Sequence, residues 1–252
     1  MHAFEEDMKN QRALPAFRVA MKRIMEGTYM PEVRLHDGST IEIEVTGTGP
    51  TLLLPVNPRP VEGPQADEMR KYGVDPALGQ SLIKGLSDTF RVVAFNYEGQ
   101  VLSAPKPETL TPANIVSDLL AVADSVGADR FAYYGYSWLA LIGLQLATRT
   151  DRLSALIMGG FPPLDGPYKE MLRVTTATYE IACAPQAEPQ QDDDEWSSVA
   201  LSQDQTRQFV TLYEALQSFD DRAAQPQITC PRLCFVGSAD EIHYGPKWAM
   251  CL

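Results

Sequence analysis

The chain has 252 residues, of which 44% are hydrophobic, and its formal net charge is −12. This size and composition allow one substantial hydrophobic core and differ from those of disordered or fibrous proteins. The negative charge argues against a nucleic-acid binder, which needs a basic surface to displace counterions from phosphates. Neither a secretory signal nor a membrane-length apolar run is visible, so we expect a cytoplasmic protein.

The first 60 residues predict a helix, a hairpin and a buried strand. Apolar residues spaced three and four apart from Phe17 to Gly27 predict an amphipathic helix, which forms most of an N-terminal extension over residues 1–30. Asp37-Gly38 lies between two alternating segments, and the apolar run "TLLLPV" follows. The Gly-Thr-Gly at 47–49 precedes a strand, whereas a dinucleotide-binding loop precedes a helix, so we expect no cofactor. The spacing of the four cysteines matches no metal signature, so we expect no metal either.

Strands and helices then alternate along the chain. Three segments have strand patterns: "FRVVAFNY", "RFAYYGYS" and "RLSALIMGG". A loop and the helical segment "TPANIVSDLLAVADSVGA" separate the first two, and the helical segment "WLALIGLQLATRT" separates the last two. This order predicts an α/β fold with a doubly wound, mostly parallel sheet, whose first part spans residues 31–160. Residues 161–227 are predicted to form a helical cap insertion. Residues 228–252 are predicted to contain a further strand of the sheet, from Arg232 to Val236.

The segment Gly135-Tyr136-Ser137-Trp138 stands between a predicted strand and a predicted helix. A serine in that position indicates a nucleophile elbow, a tight turn that lifts the hydroxyl above the sheet. A glycine two residues before the serine lets such a turn close. With "TLLLPVN", "FNYEGQVLS" and "CFVGSADEI" as supporting segments, the sequence resembles the α/β-hydrolase family from about Pro31 onward.

The resemblance implies a serine hydrolase that acts on a small ester, amide or related acyl substrate. It makes Ser137 the nucleophile and Asp240 the orienting acid, with Glu241 and Asp165 as alternatives to Asp240. No nucleic acid or membrane partner is expected.

The resemblance also implies an oxyanion hole made of two backbone N–H groups. The N–H of Trp138 is one donor, and Asn57 is the candidate for the second. Pro55 and Pro58 have no N–H group, so Val56 is the nearer alternative.

Several residues depart from the family pattern, and the missing base is the most important of these departures. The family's histidine follows one more strand after the acid, but the sequence after Asp240 is too short for that strand and loop. Besides His2 and His36, neither of which is placed for catalysis, only His243 remains as a candidate base. Leu139 also replaces the usual small residue two positions after the serine, so the first helical turn must shift or repack.

These departures predict an impaired, C-terminally truncated member of the family that lacks the last strand and helix. The alternative is a non-catalytic protein of this fold that binds a small molecule. A sheet that ends at "RLCFV" would leave an apolar edge strand, which predicts self-association through that edge.

Overall fold

The computed structural model describes residues 31–71, 73–184 and 201–237. The predicted N-terminal helix, the acid Asp240 with its alternative Glu241, and the candidate base His243 lie outside these ranges, as does His2. Among the described residues, no helix has both the length and the apolar composition needed to cross a membrane.

The predicted hairpin is confirmed. Strands β1 (Glu32–Arg34) and β2 (Thr40–Glu42) pair antiparallel, and Gly38 adopts a φ of 85° in the turn between them. The chain then leaves the hairpin and enters the main sheet with β3 (Glu44–Thr46). The alternating pattern of residues 31–46 is therefore divided between two sheets.

The main sheet contains six strands among the described residues, in the order β3-β5-β4-β6-β7-β8. Strand β3 is antiparallel to β5, and the other pairs are parallel. The predicted α/β class and mostly parallel sheet are thus confirmed. The remaining bounds are β4 (Thr51–Leu54), β5 (Arg91–Ala94), β6 (Phe131–Tyr136), β7 (Leu153–Gly159) and β8 (Arg232–Phe235).

Helices flank this sheet. They are α1 (Pro64–Lys71), α2 (Leu78–Leu86), α3 (Tyr97–Ser103), α4 (Pro112–Ser125), α5 (Trp138–Ala147), α6 (Tyr168–Cys183), α7 (Gln203–Leu216) and α8 (Asp221–Ala224). The predicted loop after β5 is wrong, because residues 97–103 form α3. Its start is capped by Asn96, whose side chain accepts a hydrogen bond from the Gly99 N–H at 3.0 Å.

Alternate residues of the central strands fill two separate hydrophobic clusters. Leu53 and Val93 belong to a large cluster with residues of α4 and α5. Their neighbours Leu54 and Val92 belong to a small cluster with Ile83 of α2. Because successive side chains of a strand point to opposite faces, the two clusters identify the two covered faces of the sheet.

The region predicted as a cap contains α6, α7 and α8. Helix α7 begins with a capping box in which Ser202 and Gln205 bond each other's backbone. Leu212 and Leu216 of α7 are buried in the large core cluster. The helical content of this region agrees with the sequence, and its separation as a cap unit stays a prediction.

Candidate active site

Ser137 lies in a strained turn between β6 and α5. Its φ is 55° and its ψ is −132°, a backbone conformation that L-residues other than glycine rarely adopt. The turn is held by hydrogen bonds from the Ser137 N–H to the Gly159 carbonyl (2.9 Å) and from the Ala140 N–H to the Ser137 carbonyl (2.8 Å). The serine is exposed at the end of the strand, where a nucleophile elbow would present its hydroxyl.

The turn closes because residue 135 has no side chain. A Cβ atom on Gly135 would lie 2.3 Å from the Leu139 carbonyl oxygen. Leu139 itself is accommodated by burial, with 4% of its surface exposed, and its carbonyl accepts a hydrogen bond from the Tyr133 hydroxyl at 3.0 Å. The first turn of α5 therefore packs a large residue where the family pattern has a small one.

The predicted oxyanion donors follow neighbouring parallel strands. Trp138 is the first residue of α5, where backbone N–H groups have no intrahelical acceptor. Strand β4 pairs with β6, so the segment after Leu54 leaves the sheet at the same edge as Ser137. The Val56 N–H donates to the Leu54 carbonyl at 2.8 Å, which makes it the weaker of the two candidates.

The structure agrees with both interpretations of Asn57, as an ordinary turn residue and as the second oxyanion donor. Its side-chain oxygen accepts a hydrogen bond from the Arg59 N–H at 3.0 Å, as in an ordinary asparagine turn. That bond uses the side chain and leaves the backbone N–H for another acceptor. The role of Asn57 as second oxyanion donor stays a prediction.

The side chain of Trp138 makes contacts that sequence reasoning missed. Its Nε1 donates to Glu98 Oε1 at 3.1 Å. Its ring centroid lies 6.2 Å from that of Tyr97 and 5.6 Å from that of Phe209, the latter in an edge-on arrangement. The elbow therefore contacts both α3 and α7. The one signal in the sequence that could have indicated these contacts is Glu98, the acidic residue within "FNYEGQVLS".

His36, the one histidine among the described residues, is bound to Asp118 of α4. Its Nδ1 lies 2.8 Å from Asp118 Oδ2, and its backbone N–H donates to Asp118 Oδ1 at 2.6 Å. The Tyr97 hydroxyl donates to the same carboxylate at 2.7 Å. Burial, together with the Asp118 charge, raises the pKa of Tyr97 well above its usual value. These bonds give His36 a structural role, because they attach the hairpin to α4.

The strand predicted to carry the acid lies two places from β6. Strand β8 pairs with β7, the Gly160 N–H donates to the Phe235 carbonyl at 3.0 Å, and the Phe235 ring stacks on Tyr134. Asp240 follows this strand outside the described residues. The alternative acid Asp165 is engaged by the Arg222 guanidinium at the surface.

Strand β8 lies at the edge of the described part of the sheet. Among the described strands only β7 pairs with it, and Leu233 and Phe235 are 59% and 43% exposed. A cavity of about 760 Å³ next to it is lined by Pro162, Pro163, Leu164, Gln225, Cys230, Pro231, Arg232, Cys234, Phe235 and Val236. Ser137 is not among these residues, and self-association through this edge stays a prediction.

Solved structures share this arrangement of strands and helices. A hydrolase from Pseudomonas aeruginosa superimposes with a TM-score of 0.55 at 20% identity, over 83% of this chain and 80% of its own. An alpha/beta fold family hydrolase from Bacillus anthracis gives 0.51 at 14% identity, over 84% and 82%. The chain has the α/β-hydrolase fold. An enol-lactonase from Burkholderia xenovorans, at 20% identity over 82% and 81%, is similar with a TM-score of 0.51.

No family model matches the sequence, and no curated protein matches it. At these levels of identity, the likeness to solved hydrolases establishes the α/β-hydrolase fold alone, and function must be argued from the site.

Proposed function

We propose that this α/β-hydrolase-fold chain is a serine hydrolase of small ester, amide or related acyl substrates. The observation that carries the proposal is the strained, exposed Ser137 between a central parallel strand and a buried helix. Strain at a non-glycine residue costs about 1–3 kcal/mol and concentrates at functional sites. The hydrolases and the enol-lactonase among the structural neighbours support the same class of chemistry.

In the proposed reaction, Ser137 Oγ attacks the carbonyl carbon and its proton passes to a base. The Trp138 N–H and the Asn57 N–H stabilise the negative oxygen of the tetrahedral intermediate. The intermediate then expels the leaving group, which takes up the proton, and water hydrolyses the acyl-serine to release the acid. We assign Asp240 as the acid that orients the base.

His243 is the candidate base, and its position so soon after Asp240 predicts slow turnover. Oxyanion stabilisation and binding without a base still give a rate about 10³–10⁴ above water in serine proteases that lack triad members. Covalent labelling of the serine is therefore a better first readout than steady-state turnover.

The test is incubation with a fluorophosphonate probe, followed by mass-spectrometric location of the adduct. We expect labelling at Ser137 in the wild type, no adduct at that position in the Ser137→Ala variant, and slower labelling in the His243→Ala variant. An intact wild-type chain that stays unlabelled, or is labelled only at another residue, would overturn the proposal.

The non-catalytic alternative predicts a different result. A binding protein would retain a small apolar ligand equally well in the wild type and in Ser137→Ala, with no covalent adduct and no turnover in either form.

A further inference from the structure

The indole of Trp138 connects the elbow to two other elements. Trp138 is only 6% exposed, and its ring contacts Tyr97 of α3 and Phe209 of α7. Its single polar atom, Nε1, donates to Glu98 of α3. We infer that Glu98 is a positioning residue, which fixes the Trp138 side chain and thereby the backbone N–H that stabilises the oxyanion. This inference rests on the proposed function.

The elements that surround the Trp138 indole are joined to one another by hydrogen bonds. Gln208 of α7 is fully buried; its Nε2 donates to the Val101 carbonyl at 3.0 Å, and its Oε1 accepts from the Lys106 N–H at 3.1 Å. Gln205 Nε2 adds a bond to the Leu102 carbonyl at 2.7 Å. These bonds fasten α7 to the end of α3 and the following loop. Phe209 and Glu98 therefore approach the indole from elements whose relative position is fixed.

The effect on catalysis follows from where Trp138 stands in the chain. It is the residue directly after Ser137, and its own N–H is the proposed donor. If Glu98 is truncated, the Nε1–H loses its acceptor in this part-buried contact, and the indole loses the hydrogen bond that fixes its orientation. A turn of this side chain displaces the first turn of α5. A small displacement of a preorganised donor lowers the rate of the chemical step while leaving probe binding unchanged.

Two variants each remove one partner of the hydrogen bond between Trp138 Nε1 and Glu98. Glu98→Ala removes the acceptor, and Trp138→Phe removes the donor but keeps an aromatic ring between Tyr97 and Phe209. Glu98→Gln keeps an acceptor oxygen without the charge. As a control, Arg152→Ala removes a 2.7 Å bond to Asp124, together with bonds to the carbonyls of Ala128 and Asp129, at the opposite end of the sheet.

The measurement is the rate constant and the affinity for fluorophosphonate labelling of Ser137. We expect Glu98→Ala and Trp138→Phe each to lower the rate constant about tenfold, less than the 10²–10³ lost with a complete oxyanion donor. Affinity stays constant, Glu98→Gln recovers most of the rate, and Arg152→Ala matches the wild type. The double variant should be no slower than either single variant, because both remove the same bond.

The outcomes separate the two proposals. If the wild type is labelled at Ser137 but Glu98→Ala reacts equally fast, the positioning role is wrong and the proposed function stands. Independent, multiplying losses in the double variant would also refute it, because Glu98 would then act without the indole. If the wild type is not labelled, both proposals fall together.

Discussion

Replacing Gly135 with alanine tests the claim that close packing of α5 on β6 creates the elbow. The added Cβ would lie 2.3 Å from the Leu139 carbonyl oxygen and 2.8 Å from the Ala140 nitrogen, whereas ordinary contacts begin at 3.4 Å. Both atoms are backbone, so the start of α5 must move away by about 1 Å. Overpacking of this kind costs about 1–3 kcal/mol. The reduced entropy of the unfolded chain returns about 0.4–1 kcal/mol.

The assay is urea unfolding of Gly135→Ala, with Gly85→Ala as the matched control. A Cβ on Gly85 in α2 meets no atom within 4 Å, so the same substitution should stabilise the protein by about 0.4–1 kcal/mol. We expect Gly135→Ala to lose about 1–2 kcal/mol in unfolding free energy and to slow labelling of Ser137. If both variants shift stability in the same direction, the elbow does not depend on this close contact.

Further substitutions test the strain at Ser137 and the partly buried ion pair between Asp37 and Lys106. Ser137→Gly should be about 1–2 kcal/mol more stable than Ser137→Ala, because glycine adopts a positive φ without steric cost; equal midpoints in urea would contradict the strain. At Asp37, burial acts to raise the pKa, but hydrogen bonds from Lys106 and Ser39 outweigh it and hold the pKa well below its ordinary value of 3.8. The ionised carboxylate therefore stabilises the fold at neutral pH, and this stabilisation is lost as the pH falls below about 4. The difference in unfolding free energy between wild type and Asp37→Asn should be constant from about pH 5 to 7 and shrink below about pH 4; a difference that does not change with pH would refute the assignment.

The sequence predicted the central strands well because β4, β5, β6 and β7 are short, largely apolar and bounded by turn residues. Most of their residues are buried or half-buried on both faces of the sheet, so these strands appear as nearly continuous apolar runs. Helices α1 and α2 were not predicted. The sequence of α1 is largely polar, with Ala66 as its one buried residue, and α2 begins without a side-chain cap. Ile83 of α2 packs in the small hydrophobic cluster, which holds that helix against the sheet, whereas α1 buries a single residue.

Like the fold, the candidate site could be predicted from the sequence only in part. The bend at Ser137 could be predicted, because Gly135 and the change from strand to helix are local features of the sequence. The contacts around it join distant parts of the chain: Glu98 bonds Trp138 across 40 residues, and His36 bonds Asp118 across 82. No local pattern encodes such pairs, so the elbow was predictable while the residues that hold it were not.

The strained turn persists because its neighbours leave it no room to relax. To reach an ordinary backbone conformation, Ser137 would have to break its bond to Gly159 and draw Trp138 away from α3 and α7. Helix α7 is held by buried glutamine bonds, whereas α6 buries only Tyr168 among its 16 residues. Stability is therefore distributed unevenly above the sheet, with α7 belonging to the rigid support of the serine. We expect any movement that admits a substrate to occur in α6, because movement of α7 would disturb Trp138, which supplies the proposed oxyanion donor.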